Sequence, residues 1–484
     1  MEIPFIRKST NCYTEVSRTA YEYKCGAECV VPDVQEDISR ILTTSFVIKI
    51  RSKDADFERI NIKGELAATV IYSSENGVEK LDITLPLNAE ISAPDTDSSC
   101  LLNSDMKLLS YELHIINPRK ISLNAVVLIT TASYKADALE WFESPESLPE
   151  SLMMKSEIVE ASCIGTVSEK TFVVEEEYDM EESEEIKLIS AFSSYACDGC
   201  ENVGEKLIVR GHGDIECLYL CGNKLKHKRF SEPFSQLFDV SSDKSEKKEL
   251  IILPTGEYYD VTDGHLTAEL HAVMQLVTED FAAIYYVSDA YSSKNTLNIS
   301  YESLKVNNSA ESENFFDTVQ LTYDAGENIS EIVYVGKNTG RAEIREDKII
   351  VPVVADVVYL TDIGDICARK LRGNAEFHID EISINRMLAE ATETQAVPMG
   401  SKIDLRLGVK LTTEADAEAH ISMISEISEG EPIAKGKSRV YLVRGGENLW
   451  ETAKKYKSSP EIIAQINNLD DGKTEGKLLL IPEI

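Results

Sequence analysis

Ile62-Lys63-Gly64-Glu65-Leu66-Ala67-Ala68-Thr69-Val70-Ile71-Tyr72 reads as a strand that ends in a tyrosine. Two further stretches share that form. One is Val209-Arg210-Gly211-His212-Gly213-Asp214-Ile215-Glu216-Cys217-Leu218-Tyr219, the other Ile349-Ile350-Val351-Pro352-Val353-Val354-Ala355-Asp356-Val357-Val358-Tyr359. The tyrosines at 72, 219 and 359 stand 147 and 140 residues apart, about one domain length each. Gly64 and Gly211 both lie eight residues before the tyrosine. Pro86 and Pro233 lie fourteen after it, and Gly373 takes that place in the third copy. A recurrence of this length is the mark of an internal repeat.

Two more landmarks keep the same period. Downstream of each anchor comes a second strand: Ile121-Ser122-Leu123-Asn124-Ala125-Val126-Val127, then Leu266 to Val273, then Ile403 to Leu411. The last two alternate apolar and polar residues, as a strand with one buried face does. Upstream, acidic residues lead into Ile38-Ser39-Arg40-Ile41-Leu42, Ile186-Lys187-Leu188-Ile189 and Ile329-Ser330-Glu331-Ile332-Val333. The expected fold is mainly β: three tandem sandwich-like units over 1–145, 152–303 and 312–430, then a small C-terminal module over 438–484. The polar stretches Glu140 to Ser151, Lys305 to Asn314 and Glu429 to Lys437 read as the connections.

Charge excludes whole classes of partner. The chain of 484 residues has 84 acidic and 49 basic residues, a formal net charge of −35. Phosphate backbones and anionic surfaces recruit the opposite sign, so nucleic acid is excluded as a partner. The acidic run from Glu175 to Glu185 reads as a solvated loop or strand edge. No apolar run approaches the 18 or so residues a membrane helix needs, and the N-terminus has no secretory pattern, so the chain is expected to stay in the cytosol. Ten cysteines over this length suit a reducing compartment rather than a disulfide scaffold.

The C-terminal module departs from the rest in composition, with seven basic and seven acidic residues. Val440-Tyr441-Leu442-Val443 reads as a strand and Gly445-Gly446 as a turn. Asn448 caps a helix, with Glu451 three residues on completing a capping box. Leu449, Ala453 and Tyr456 share one face of that helix. Ser459-Pro460 starts a second helix, whose buried side is expected to be Ile462, Ile463 and Ile466. Lys477 to Ile481 reads as a closing strand, giving the α+β order strand, helix, helix, strand.

Zinc, nucleophilic and phosphate chemistry find little support. Cys197-Asp198-Gly199-Cys200 with Cys217 and Cys221 has thiol spacing, but a strand continued from Cys217 to Cys221 separates their α-carbons by about 13 Å, too far for one zinc ion. Asp198-Gly199 reads instead as a hairpin turn. The seven histidines form no i, i+4 pair, and no Gly-rich phosphate loop or Gly-x-Ser-x-Gly elbow occurs. No enzyme and no cofactor are expected.

The C-terminal module resembles a LysM domain through Tyr441, Val443, Gly446, Leu449, Trp450, Ala453, Tyr456, Asn467, Leu469, Gly476, Leu478, Ile481 and Pro482. The resemblance implies a shallow groove for acetamido sugars of peptidoglycan or chitin, formed by Gly445, Gly446, Glu447, Asn448 and Leu449 facing Asn468, Leu469 and Asp470. Glu447 and Asn448 replace the family's aspartate and threonine, and Thr452 stands where an apolar residue is usual. The tyrosine-ended strands, with Val287-Ser288-Asp289-Ala290-Tyr291-Ser292-Ser293-Lys294, resemble a tandem domain of endospore-forming bacteria. Together the order resembles the SipL type of spore-morphogenesis protein. That resemblance implies a non-enzymatic scaffold of the spore coat and envelope, acting on the mother-cell side at the forespore surface. It implies a spore-coat morphogenetic protein as partner, a coat ATPase of the SpoIVA type. The alternative is a protein of the envelope or cortex that binds peptidoglycan, a glycan containing N-acetylglucosamine.

Overall fold

The computed structural model describes the chain except residues 1, 148, 183, 242–246, 379–383, 434–438, 443–447, 470–477 and 483–484, and except the side chains of 307–311, 416–418 and 439–442. The fold is mainly β. Three successive stretches of chain take one path: a long strand, a small sheet, an edge strand, and a second long strand that returns beside the first. In the first unit these are β1 (Glu2–Val30), β2 (Arg40–Asp56), β3 (Arg59–Ser73), β4 (Val78–Ser92), β5 (Leu101–Asn117) and β6 (Lys120–Pro145). The second has β7 (Leu152–Asp179), β8 (Ile186–Val203), β9 (Lys206–Cys221), β10 (Lys224–Asp239), β11 (Lys247–Thr262) and β12 (His265–Ser292). The third has β13 (Asn295–Asp324), β14 (Ile329–Thr339), β15 (Glu343–Arg345), β16 (Lys348–Thr361), β17 (Ile366–His378), β18 (Arg386–Met399) and β19 (Lys402–Pro432). The module holds β20 (Arg439–Leu442), α1 (Leu449–Tyr456), α2 (Pro460–Ile466) and β21 (Leu478–Ile481).

The tyrosine-ended stretches are the central strands β3, β9 and β16 of the three small sheets. Their alternation places one apolar row against the returning long strand. In the first unit Ile62, Leu66 and Val70 of β3 are buried with Leu123 and Val127 of β6. In the third, Val351 and Val353 of β16 are buried with Leu407 and Val409 of β19. Each unit is therefore two sheets packed face to face.

The long strands reach beyond their own sandwich and join one sheet in the order β11-β12-β7-β13-β19-β1-β6-β5, with β18 on β19. Ile3 pairs with Ile427, Tyr13 with Ile164 and Ser162 with Asn307, so β1, β7, β13 and β19 hydrogen-bond across unit boundaries. Ile3, Leu152, Val287 and Ile427 share one buried cluster there. The polar stretch Lys305 to Asn314, expected to be a connection, lies inside β13 and pairs with β19. The third unit accordingly starts at Asn295 rather than at 312. The stretch is part of a strand that meets both β19 and β7 rather than a linker.

Two bulges recur. In the first strand of each small sheet one residue is skipped opposite the tyrosine and its predecessor: Leu42 opposite Ile71–Tyr72, Ile189 opposite Leu218–Tyr219, Val333 opposite Val358–Tyr359. The tyrosines face their own sandwiches. Leu42, Ile189 and Val333 meet Ile71, Leu218 and Val358 in a single cluster between the three units. The second bulge lies opposite Gly64 and Gly211, where β2 and β8 skip Arg51 and Asp198. A Cβ on Gly64 would lie 2.4 Å from the Lys49 carbonyl oxygen, and one on Gly211 2.3 Å from that of Ala196. The third unit breaks into β14 and β15 at this point, and Val351 replaces the glycine without conflict. Gly64→Ala and Gly211→Ala are each expected to destabilise the chain by about 1–3 kcal/mol in urea unfolding. Gly199→Ala, whose Cβ meets nothing within 4 Å, should stay within about 0.5 kcal/mol.

Candidate functional site

The module's two helices form as their caps direct. Asn448 Oδ1 accepts from the Glu451 amide at 2.8 Å, and Ser459 with Pro460 opens α2. Ala453, Ile463, Leu479 and Ile481 make its core, with Leu449 and Tyr456 against them. Thr452 is fully buried, and its hydroxyl donates to the Asn448 carbonyl at 3.1 Å, so a hydroxyl is accommodated where an apolar residue was expected.

The stretch Val287 to Lys294 proves to be the seat of this module. Asp289 comes just after a bulge at Ser288, near the end of β12. Its carboxylate accepts from Trp450 Nε1 at 2.8 Å and lies 2.6 Å from Lys454 Nζ. Trp450 and Lys454 are one turn apart on α1, so one carboxylate holds both. Tyr291 is 2% exposed, donates its hydroxyl to the Ser458 carbonyl at 2.6 Å, and sets its ring 5.1 Å from that of Trp450. The ends of β6 and β19, at Phe142-Glu143-Ser144-Pro145 and at Glu429-Gly430-Glu431-Pro432, carry no such Asp-x-Tyr. Hence the module is seated on the second unit.

Of the groove residues expected from the LysM resemblance, Gly445, Gly446, Glu447 and Asp470 lie outside the described residues. Asn448 and Asn468 are exposed and Leu449 is half-buried, whereas Leu469 belongs to the core at 8% exposure and offers little side chain to a sugar. The expected buried side of α2 is also narrower. Ile463 is buried, but Ile462 and Ile466 are 37% and 44% exposed. Leu478 and Leu480 on β21 are likewise exposed, at 63% and 43%. Asn467 fastens the two elements, exchanging hydrogen bonds with the Leu480 amide and carbonyl at 2.8 and 2.9 Å. A seven-residue helix has too few positions to bury three isoleucines against so small a core.

A cavity of about 580 Å³ lies where the three units join. Its two arginines are paired with carboxylates. Arg18 lies 2.7 Å from Glu15 and 3.6 Å from Glu249, Arg386 2.8 Å from Glu249 and 3.5 Å from Glu414. These pairs cross all three units, and the carboxylates raise the pKa of both guanidiniums despite the opposing effect of burial. Sequence inspection missed this network because its members lie far apart in the chain and have no common motif.

The cysteine arrangement also differs from expectation. Cys197 to Cys200 is a bulge within β8, not a hairpin turn; the turn comes at Gly204, which has the positive φ a tight turn requires. Cys217 and Cys221 are buried, and Cys221 Sγ donates to Glu182 at 3.3 Å. Among the described residues no three His, Cys, Asp or Glu converge in a metal-holding group, and no helix is long and apolar enough to cross a membrane. Comparisons with family models, curated proteins and solved structures find no match.

Burial alone would raise the Asp289 carboxyl, but Lys454 and Trp450 outweigh it and hold it below the usual carboxylate range. A carboxylate depressed on docking stabilises the docked state above its free pKa, near 4, and loses that contribution as pH falls through the lowered value. Asp289→Ala is therefore expected to weaken docking by about 1.5–3 kcal/mol. The readout is faster hydrogen exchange in α1 with exchange in β3 and β16 unchanged.

Proposed function

We propose that this chain is a non-enzymatic scaffold that recognises a protein partner through the uncovered face of its C-terminal module. The observation that carries the reading is the division of the module's surface. The α1 side is occupied by Asp289 and Tyr291, while Ile462, Ile466, Leu478 and Leu480 stay exposed on α2 and β21. Exposed apolar side chains on neighbouring elements suit a protein interface. The side chains suited to a sugar face are fewer: Asn448 Oδ1 is engaged by the helix cap and Leu469 by the core.

The net charge of −35 supports a partner that brings its own basic rim to an acidic body. The likeness to the SipL type supplies the candidate, a coat ATPase of the SpoIVA type, and the mother-cell side of the forespore as the setting. The paired charges of the central cavity support an assembling role over catalysis, since each arginine there is matched by carboxylates of another strand.

Pull-down of the coat ATPase with the full chain tests this. Ile466→Asp and Leu480→Asp, at exposed sites, are expected to reduce capture at least about tenfold, because a charge buried unpaired in an interface costs several kcal/mol. Capture unchanged by both substitutions, with retention on purified peptidoglycan, would favour the glycan-binding alternative.

A further inference from the structure

Of the ten cysteines, only Cys197 and Cys200 are exposed, and their sulfurs lie 4.0 Å apart. In a regular strand, residues three apart point to opposite faces. The bulge at Asp198 changes that. Cys197 stands opposite Gly211 and Cys200 opposite Val209, two residues apart on β9, so the two thiols project from one face. The bulge is held in place on both sides. Asp198 lies 2.8 Å from His212 Nδ1, and the missing Cβ of Gly211 leaves room for the Ala196 carbonyl.

The first unit shows what this position does when it is covered. Its matching bulge puts Ile50 opposite Gly64 and Lys53 opposite Ile62. Ile50 is buried, and Lys53 reaches toward the second unit, donating to the Leu102 carbonyl at 2.6 Å and lying 2.7 Å from Glu169. In the second unit the equivalent pair consists of two thiols on an edge strand, open to solvent.

We infer that Cys197 and Cys200 form a dithiol site that closes to an intramolecular disulfide by exchange with a small-molecule disulfide. One sulfur attacks the incoming disulfide as thiolate, gives its proton to solvent and releases the first small thiol, leaving a mixed disulfide. The second sulfur then displaces the second small thiol, and the protein loses two hydrogens while one disulfide becomes two thiols. Closing the bond brings the sulfurs from 4.0 Å to about 2.05 Å. Partial desolvation, and then the neighbouring Cys197, push the Cys200 thiol up to about 11 against the opposing Lys248.

Full-length protein incubated at neutral pH with excess glutathione disulfide, quenched by alkylation and mapped by peptide mass spectrometry, tests the site. The peptide carrying both residues is expected to lose two hydrogens and both alkylation sites, while the other eight cysteines keep theirs. With one thiol replaced, by Cys200→Ser or by Cys197→Ser, the remaining thiol is expected to accumulate a glutathione adduct that no neighbouring thiol can resolve. Three results in the unsubstituted chain would overturn the inference: a persistent glutathione adduct, a disulfide joining other cysteines, or both thiols alkylated as fully as without the oxidant.

Discussion

Leu42, Ile189 and Val333 hold the arrangement together from one position used three times. Each is the skipped residue of a bulge, and each leaves its own sandwich to meet the other two. A bulge adds one residue to one strand and bends that strand locally. Here it lets the end of each small sheet be buried on both faces, the tyrosine inward and its predecessor toward the shared cluster. The sandwiches are thus fixed to one another by apolar burial at this cluster, and the long strands add hydrogen-bonded ladders at the other end of the molecule.

Polar groups fill the space between those two apolar contacts. Ser45 and Ser190 share a buried hydrogen bond across the first and second units at 2.8 Å. Tyr111 of the first unit donates to Asp356 of the third. Lys107 donates to Thr339 at 2.6 Å, and burial lowers its pKa to about 8. Arg386 of the third unit meets Glu249 of the second. Such contacts are directional and penalise a slipped register, since breaking one partner leaves the other buried and unsatisfied. Apolar burial supplies attraction between the units and these pairs supply geometry.

The sequence was most legible where local chemistry decides structure. The strand-rich class and both helix caps come from alternation and from Asn448 and Ser459. Legibility failed where the partner is distant in the chain. Lys305 to Asn314 pairs with β19, more than 90 residues further along the chain, whereas polarity alone looks like a linker. Cys197 to Cys200 carries a turn dipeptide, but Gly211, eleven residues beyond Cys200, turns it into a bulge. Ile462 and Ile466 fit a helix period, yet nothing in the sequence shows that the core they face is already full. The Asp289 seat was visible as a distinctive stretch, and only its contact with Trp450 explains why the other two units lack it.

This anatomy suits a body that presents surfaces in fixed relation: three units meeting at one apolar cluster, and a module seated on one of them with an apolar face outward. Such a body requires the units to behave as a single cooperative whole. Native-state hydrogen exchange of the full chain, monitored residue by residue through a denaturant series, measures this directly. The account predicts that the amides around Ile71, Leu218 and Val358 lose protection together, at one denaturant concentration. Three separate transitions, one for each unit, would contradict it.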